Sequence, residues 1–208
     1  MKKILVLTLM CIMVLGLTTI AQAGPYPETQ KSLMAAVTGE TQASANYLAY
    51  AEVAENEGHK GIALVFRVIS EAEAKHADDE FAILQSINSS VERPKPDEVK
   101  PGTTKENLQA AIDGETYEFT VMYPEFIIVA QVENMLQARG IFTLAKLSEE
   151  VHAGIYADLL KNFDNFDSVK YAKIYRCPDC GNIVPTIRPL ACSICGDAGD
   201  EFIEYVLN

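Results

Sequence analysis

The sequence predicts a mostly α-helical chain: a four-helix bundle with one long crossover, followed by a small C-terminal module of turns and short strands. Three observations carry that expectation. Apolar and small residues recur at three- and four-residue steps on both sides of a proline-rich connector, as in Ile62, Val65, Phe66 and Ile69. The two sides repeat each other about 75 residues apart. After Phe163 the composition shifts to Cys, Pro, Gly and alternating aromatics (Tyr171, Tyr175, Phe202, Tyr205).

At the N-terminus, Lys2 and Lys3 precede an uncharged apolar run over residues 4–20, followed by Ala21-Gln22-Ala23. That order describes a secretory signal peptide cleaved after Ala23. The competing reading is an uncleaved anchor, but 17 residues is at the short limit for crossing a bilayer. Cys11 lies mid-run, where an apolar role suits it, and not at the end where a lipidated cysteine would stand. Cleavage removes two lysines and no acid, taking the formal charge from −12 to −14. So acidic a chain does not suit a nucleic-acid backbone or an anionic lipid surface, whereas a basic redox partner would suit it.

Residues 28–86 read as two helices with a break near Glu57-Gly58-His59-Lys60-Gly61. Residues 88–104 contain Pro94, Pro96 and Pro101, so no helix runs through them. A second helix pair follows over residues 105–163, with a break expected near Arg139-Gly140. A long connector between two hairpins is the ferritin-like arrangement. Residues 24–165 are assigned to this bundle and 166–208 to the cysteine module.

The internal repeat carries chemistry. Ala35-Ala36-Val37-Thr38-Gly39-Glu40-Thr41 recurs as Ala110-Ala111-Ile112-Asp113-Gly114-Glu115-Thr116, 75 residues on. Glu73-Ala74-Lys75-His76 recurs as Glu149-Glu150-Val151-His152, 76 residues on, and the extra residue is expected in an altered inter-helix turn. Duplication for packing alone would not select ionisable residues among apolar neighbours. Residues three apart share a helix face, so each Glu-x-x-His pair can aim a carboxylate and an imidazole at one point. With Glu40 and Glu115 the interior holds four carboxylates and two histidines, whose burial calls for about two divalent cations. Oxygen and imidazole donors suit iron or manganese.

The repeat breaks at one place: Glu118, three after Glu115, matches Ala43. Glu118 reads as a seventh ligand rather than a surface glutamate. His59, in the turn, reads as exposed with no metal role. Tyr47 and Tyr123 read equally as core aromatics or as hydrogen-bond donors to the ligands.

Cys177-Pro178-Asp179-Cys180-Gly181 and Cys192-Ser193-Ile194-Cys195-Gly196 are two Cys-x-x-Cys-Gly knuckles. In an exported chain four cysteines first suggest disulfides. This spacing instead describes a tetrahedral four-thiolate site, holding zinc as a staple or iron as a one-electron carrier. A redox bundle in the same chain favours iron, which would have to bind before the thiols oxidise.

These residues, over residues 28–208, resemble the rubrerythrin family, in which a ferritin-like di-iron bundle precedes a rubredoxin-like domain. The resemblance implies that Glu40, Glu73, His76, Glu115, Glu118, Glu149 and His152 hold two irons, and that Cys177, Cys180, Cys192 and Cys195 hold a third. It places the ligand-supporting tyrosines at Tyr47 and Tyr123. It implies a peroxidase that reduces hydrogen peroxide to water with electrons from the cysteine iron, Glu118 or Tyr47 supplying a proton. It further implies a homodimer in which the cysteine iron of one subunit serves the di-iron site of the other. Ferroxidase activity, and a non-catalytic electron carrier or zinc-stapled protein, are the alternatives. Most of the family is cytosolic. Export would remove nicotinamide-linked reductases and leave a cytochrome or a small rubredoxin-like carrier as donor.

Overall fold

The computed structural model describes residues 24–166 and 169–207. The expected signal peptide, residues 1–23 with Cys11, therefore lies outside the described residues. Among the described residues no helix is long and apolar enough to cross a membrane.

Helix α1 spans Pro27–Asn56, with proline in its first turn, where the missing N–H has no partner to lose. It turns through Glu57-Gly58-His59 into α2, Lys60–Ile87. Residues 88–103 form the connector, and α3 (Thr104–Tyr117) begins on a capping box between Thr103 and Glu106. A π-helical turn, Glu118–Met122, continues into α4, Tyr123–Val132. Helix α5 runs Leu136–Lys161. Helices α1 and α2 pack as one hairpin, and the α3–π–α4 rod packs with α5 as the other.

Two expectations need correction here. The second turn lies at Glu133-Asn134-Met135 rather than at Arg139-Gly140, and Gly140 sits inside α5. Asn134 adopts φ 57, a left-handed conformation that asparagine tolerates, so this turn needs no glycine. Nor does the extra residue of the second half lie in the turn. The two turns are equivalent: His59 N–H donates to Ala54 O at 2.7 Å and Met135 N–H to Ala130 O at 2.8 Å, partners 76 residues apart at both ends. The register changes from 75 to 76 between Glu115 and the turn, and the π-helical turn accommodates that residue.

The interior has an apolar cluster toward each end of the bundle. Ala51, Ile62, Phe66 and Tyr156 belong to one; Leu33, Leu84, Met122 and Phe142 belong to the other. The buried acids and histidines belong to neither cluster.

The module is a three-stranded antiparallel sheet of order β2-β1-β3, from Lys173–Arg176, Ile183–Pro185 and Ile203–Val206. The first cysteine knuckle is the β1–β2 hairpin, and the second lies between β2 and β3. Tyr171, Ile174 and Ile183 join the apolar cluster of the bundle. Arg176 Nη2 donates to Glu71 of α2 at 3.2 Å, and the Tyr205 hydroxyl donates to the same carboxylate.

Candidate metal centres

Glu40 comes from α1, Glu73 and His76 from α2, Glu115 from α3, and Glu149 and His152 from α5; all six are at most 2 % exposed. Their ligand atoms form two groups, each with all atoms within 4.8 Å of one another: Glu40, Glu73, His76 and Glu149, and Glu73, Glu115, Glu149 and His152. Glu73 and Glu149 belong to both, as carboxylates bridging two ions would. Each group adds one glutamate and one histidine of its own.

The donor atoms converge without satisfying one another. His76 Nδ1 lies 2.8 Å from Glu149 Oε1, and His152 Nδ1 lies 2.8 Å from Glu149 Oε2 and 3.1 Å from Glu73 Oε1. Yet Glu40 Oε2, Glu73 Oε1, Glu115 Oε2, both Glu149 oxygens and His152 Nδ1 are buried without an aligned hydrogen bond. Six orphaned buried donors aimed at two points fit a pair of cations, since protein atoms rarely leave such groups unpaired. The opposite nitrogen of each ring faces the cysteine module: His76 Nε2 is 3.0 Å from Cys180 O, and His152 Nε2 is 3.2 Å from Gly181 O. An Nε2–H donated to a carbonyl leaves the Nδ1 lone pair for metal, which fixes the tautomer.

Protonation shows what metal would displace. Burial, followed by neighbouring carboxylates, holds the carboxyls of Glu40, Glu115 and Glu118 well above the usual range. Burial also opposes the charge on Glu73, but His152 and His76 outweigh it and draw this carboxyl down to about 2. For His152, burial is outweighed by Glu73 and Glu149, raising it to about 10; His76 is raised likewise.

Tyr47 O–H donates to Glu115 Oε1 at 2.7 Å, and Tyr123 O–H donates to Glu40 Oε1. Each tyrosine thus holds a glutamate of the opposite half. Glu118 is 8 % exposed but lies outside both four-atom groups, its Oε1 reaching toward Gly39 beside Glu40. His59 is half-buried rather than exposed, its ring tilted against Phe163 with centroids 4.4 Å apart, away from both groups. Sequence reasoning missed Glu80, which is fully buried with Oε1 2.9 Å from the Tyr123 hydroxyl. Its spacing four residues after His76 was the available signal, obscured by the run Asp78-Asp79-Glu80, which reads as a solvated face.

The four cysteines are free thiols. Cys177 and Cys195 Sγ are 3.5 Å apart, as are Cys180 and Cys192 Sγ. A disulfide would need about 2.05 Å. A tetrahedron with metal–sulfur bonds of about 2.3 Å has edges of roughly 3.8 Å, so the cluster has the size of a metal site. The Cys180 thiol and the N–H groups of Cys180 and Asp179 draw Cys177 down to about 6, which presents a thiolate for metal, while burial pushes Cys195 up to about 12. Gly181, at φ +74, lets the knuckle touch the bundle: a Cβ there would stand 2.6 Å from His76 Nε2.

Fold and sites together define a carboxylate-bridged di-iron bundle protein with an appended four-cysteine iron module. The family model described as Rubrerythrin matches residues 31–160. Nigerythrin of Nitratidesulfovibrio vulgaris is 36 % identical over 177 residues, covering 85 % of this chain and 86 % of that one. Rubrerythrin-2 of Clostridium acetobutylicum is 32 % identical over 178 residues, covering 84 % and 95 %. The solved structure of nigerythrin in its fully reduced, all-ferrous state superposes with a TM-score of 0.81 at 36 % identity, covering 85 % of this chain and 86 % of that one. The chain belongs to the rubrerythrin family. Its metals are two irons in the bundle and one in the cysteine site. Within the chain the module sits against the histidines of the bundle.

Proposed function

We propose that this protein is a peroxidase that protects against oxidative stress by reducing hydrogen peroxide to water at the di-iron centre. The observation that carries the reading is the direct contact of the first cysteine knuckle with both imidazoles through the Cys180 and Gly181 carbonyls. It gives electrons from the cysteine iron a short, fully packed route to both metal positions. When bound, the iron pair supplies two electrons, and with two protons one peroxide becomes two waters.

The chain's own residues handle positioning and protons. His76 and His152 hold one metal position each and face the module with the opposite nitrogen. Tyr47 and Tyr123 hold Glu115 and Glu40 in orientation. Glu118 lies beside Glu40, and without metal, burial and the charges of Glu149 and Glu73 hold its carboxyl well above the usual carboxylate range. The apolar clusters on either side keep bulk water from this layer. Stopped-flow mixing of the fully reduced protein with peroxide and, separately, with dioxygen tests the reading: reoxidation must be faster with peroxide, and equal rates exclude a peroxidase.

Three settings belong to the same proposal. The order of residues 1–23 supports export with cleavage after Ala23, which N-terminal sequencing checks by finding Gly24 first. An exported acidic protein would take electrons from a cytochrome or rubredoxin-like carrier with a basic docking face. A homodimer would repeat the module–bundle contact between subunits if the connecting segment crossed over.

A further inference from the structure

We propose that Glu80 is a positioning residue of the di-iron site, a neutral carboxylic acid that donates to Tyr123 and thereby commits the Tyr123 proton to Glu40. The Tyr123 hydroxyl lies within hydrogen-bond reach of Glu40 Oε1 and of Glu80 Oε1 at once. A phenol has one hydrogen to donate and lone pairs to accept with. Glu40 is a metal ligand, so it stays ionised in the loaded protein and is the stronger acceptor. The second contact then forms only if Glu80 brings the hydrogen.

The surroundings of Glu80 agree. It is fully buried, and its Oε2 has no hydrogen-bond partner among the described residues. Its charged neighbours are His76, Glu149, Asp79 and Glu118, and burial outweighs the opposing pull of the Tyr123 hydroxyl and of His76. A carboxylate so placed would be a buried charge without a hydrogen-bonded cation, which proteins avoid. Burial lifts its pKa to about 8. The device exists in one half only, because the residue 76 further on is Tyr156, and Tyr47 has a single carboxylate partner.

The inference depends on the metal site and not on the peroxide reading, so its test uses no turnover. In the iron-loaded full chain at neutral pH, infrared spectroscopy should show the carbonyl stretch of a protonated buried carboxyl. Glu80→Gln should remove that band, yet bind two equivalents of ferrous iron in the bundle as the parent does, because the amide still donates to Tyr123. Glu80→Leu should lose the donor and weaken one bundle iron by about tenfold or more in anaerobic competition with a chelator. A band unchanged in Glu80→Gln overturns the proposal, as does equal weakening in the Gln and Leu variants. Should Glu80→Leu fail to fold, Glu80→Gln decides alone through the band and the iron titration.

Discussion

Tyr47 and Tyr123 show how far single residues shape the metal site. Each donates one hydrogen to a terminal glutamate of the opposite half, and a hydrogen bond to a charged group is worth about 1.5–3 kcal/mol. Tyr47→Phe should therefore leave Glu115 Oε1 without its donor and weaken one bundle iron by about 10–100-fold, read by anaerobic ferrous titration against a chelator. Unchanged affinity would mean that Tyr47 only packs. Gly181 acts at the same scale. Gly181→Ala meets a left-handed φ costing about 1–2 kcal/mol and a clash with His76 and Ala72. The cysteine iron should keep its visible spectrum while electron transfer from it to the bundle slows. Rapid reduction of the cysteine iron followed by double-wavelength kinetics measures this, and an unchanged transfer rate would show that the knuckle contact does not matter. At this scale the convergence of the six residues was legible because Glu-x-x-His repeats, and chance rarely repeats it. Glu80 was not, because a single acid beside Asp78 and Asp79 carries no period of its own, and only the packed bundle shows that it faces inward.

At the scale of elements, the informative feature is the π-helical turn Glu118–Met122. Glu115 precedes it and Tyr123 follows it, so the extra residue sets how the two face each other. An α-helix advances about 100° per residue, so deleting exposed Thr120 should rotate one of them off the site. The deletion variant should keep its helical circular dichroism but bind at most one iron in the bundle; two irons with native affinity would contradict the role given to the turn. The existence of the extra residue was legible in the change of offset, but its location was not. A turn and a π-helical turn both absorb one residue, and only the hydrogen bonds of the two equivalent turns separate them. The glycine at 140 misled for a related reason: Asn134 supplies the left-handed residue, and Gly140 is a solvent-facing helical position with open space where a Cβ would stand. Gly140→Ala should accordingly stabilise the metal-loaded protein by about 0.5–1 kcal/mol in denaturant unfolding. A loss of stability would return the turn to Arg139-Gly140.

For the whole molecule, the polar layer between two apolar clusters makes stability depend on metal and on pH together. Without metal, the ion pairs of His152 give stability that is complete below its ordinary 6.5 and is lost as pH climbs through about 10. Glu73, drawn down to about 2, contributes above its ordinary 4.5 and loses that contribution as pH falls through about 2. Glu40, Glu115 and Glu118, all raised, contribute most below 4.5 and progressively less as pH rises. Above 4.5, these groups together make the metal-free fold weaken with rising pH. Iron needs the same glutamates ionised and the histidines neutral, so loading releases protons and tightens as pH rises. The thermal midpoint of the loaded protein should thus exceed that of the chelator-stripped protein by a margin that widens from mildly acidic to neutral pH. Calorimetry of both forms at matched ionic strength measures the margin, and a pH indicator in weak buffer registers the released protons during loading. A margin independent of pH, with no proton release, would mean that the layer is already ionised before metal arrives. Glu40, Glu73, Glu115 and Glu149 would then need some other compensation than the two irons to which the geometry assigns them.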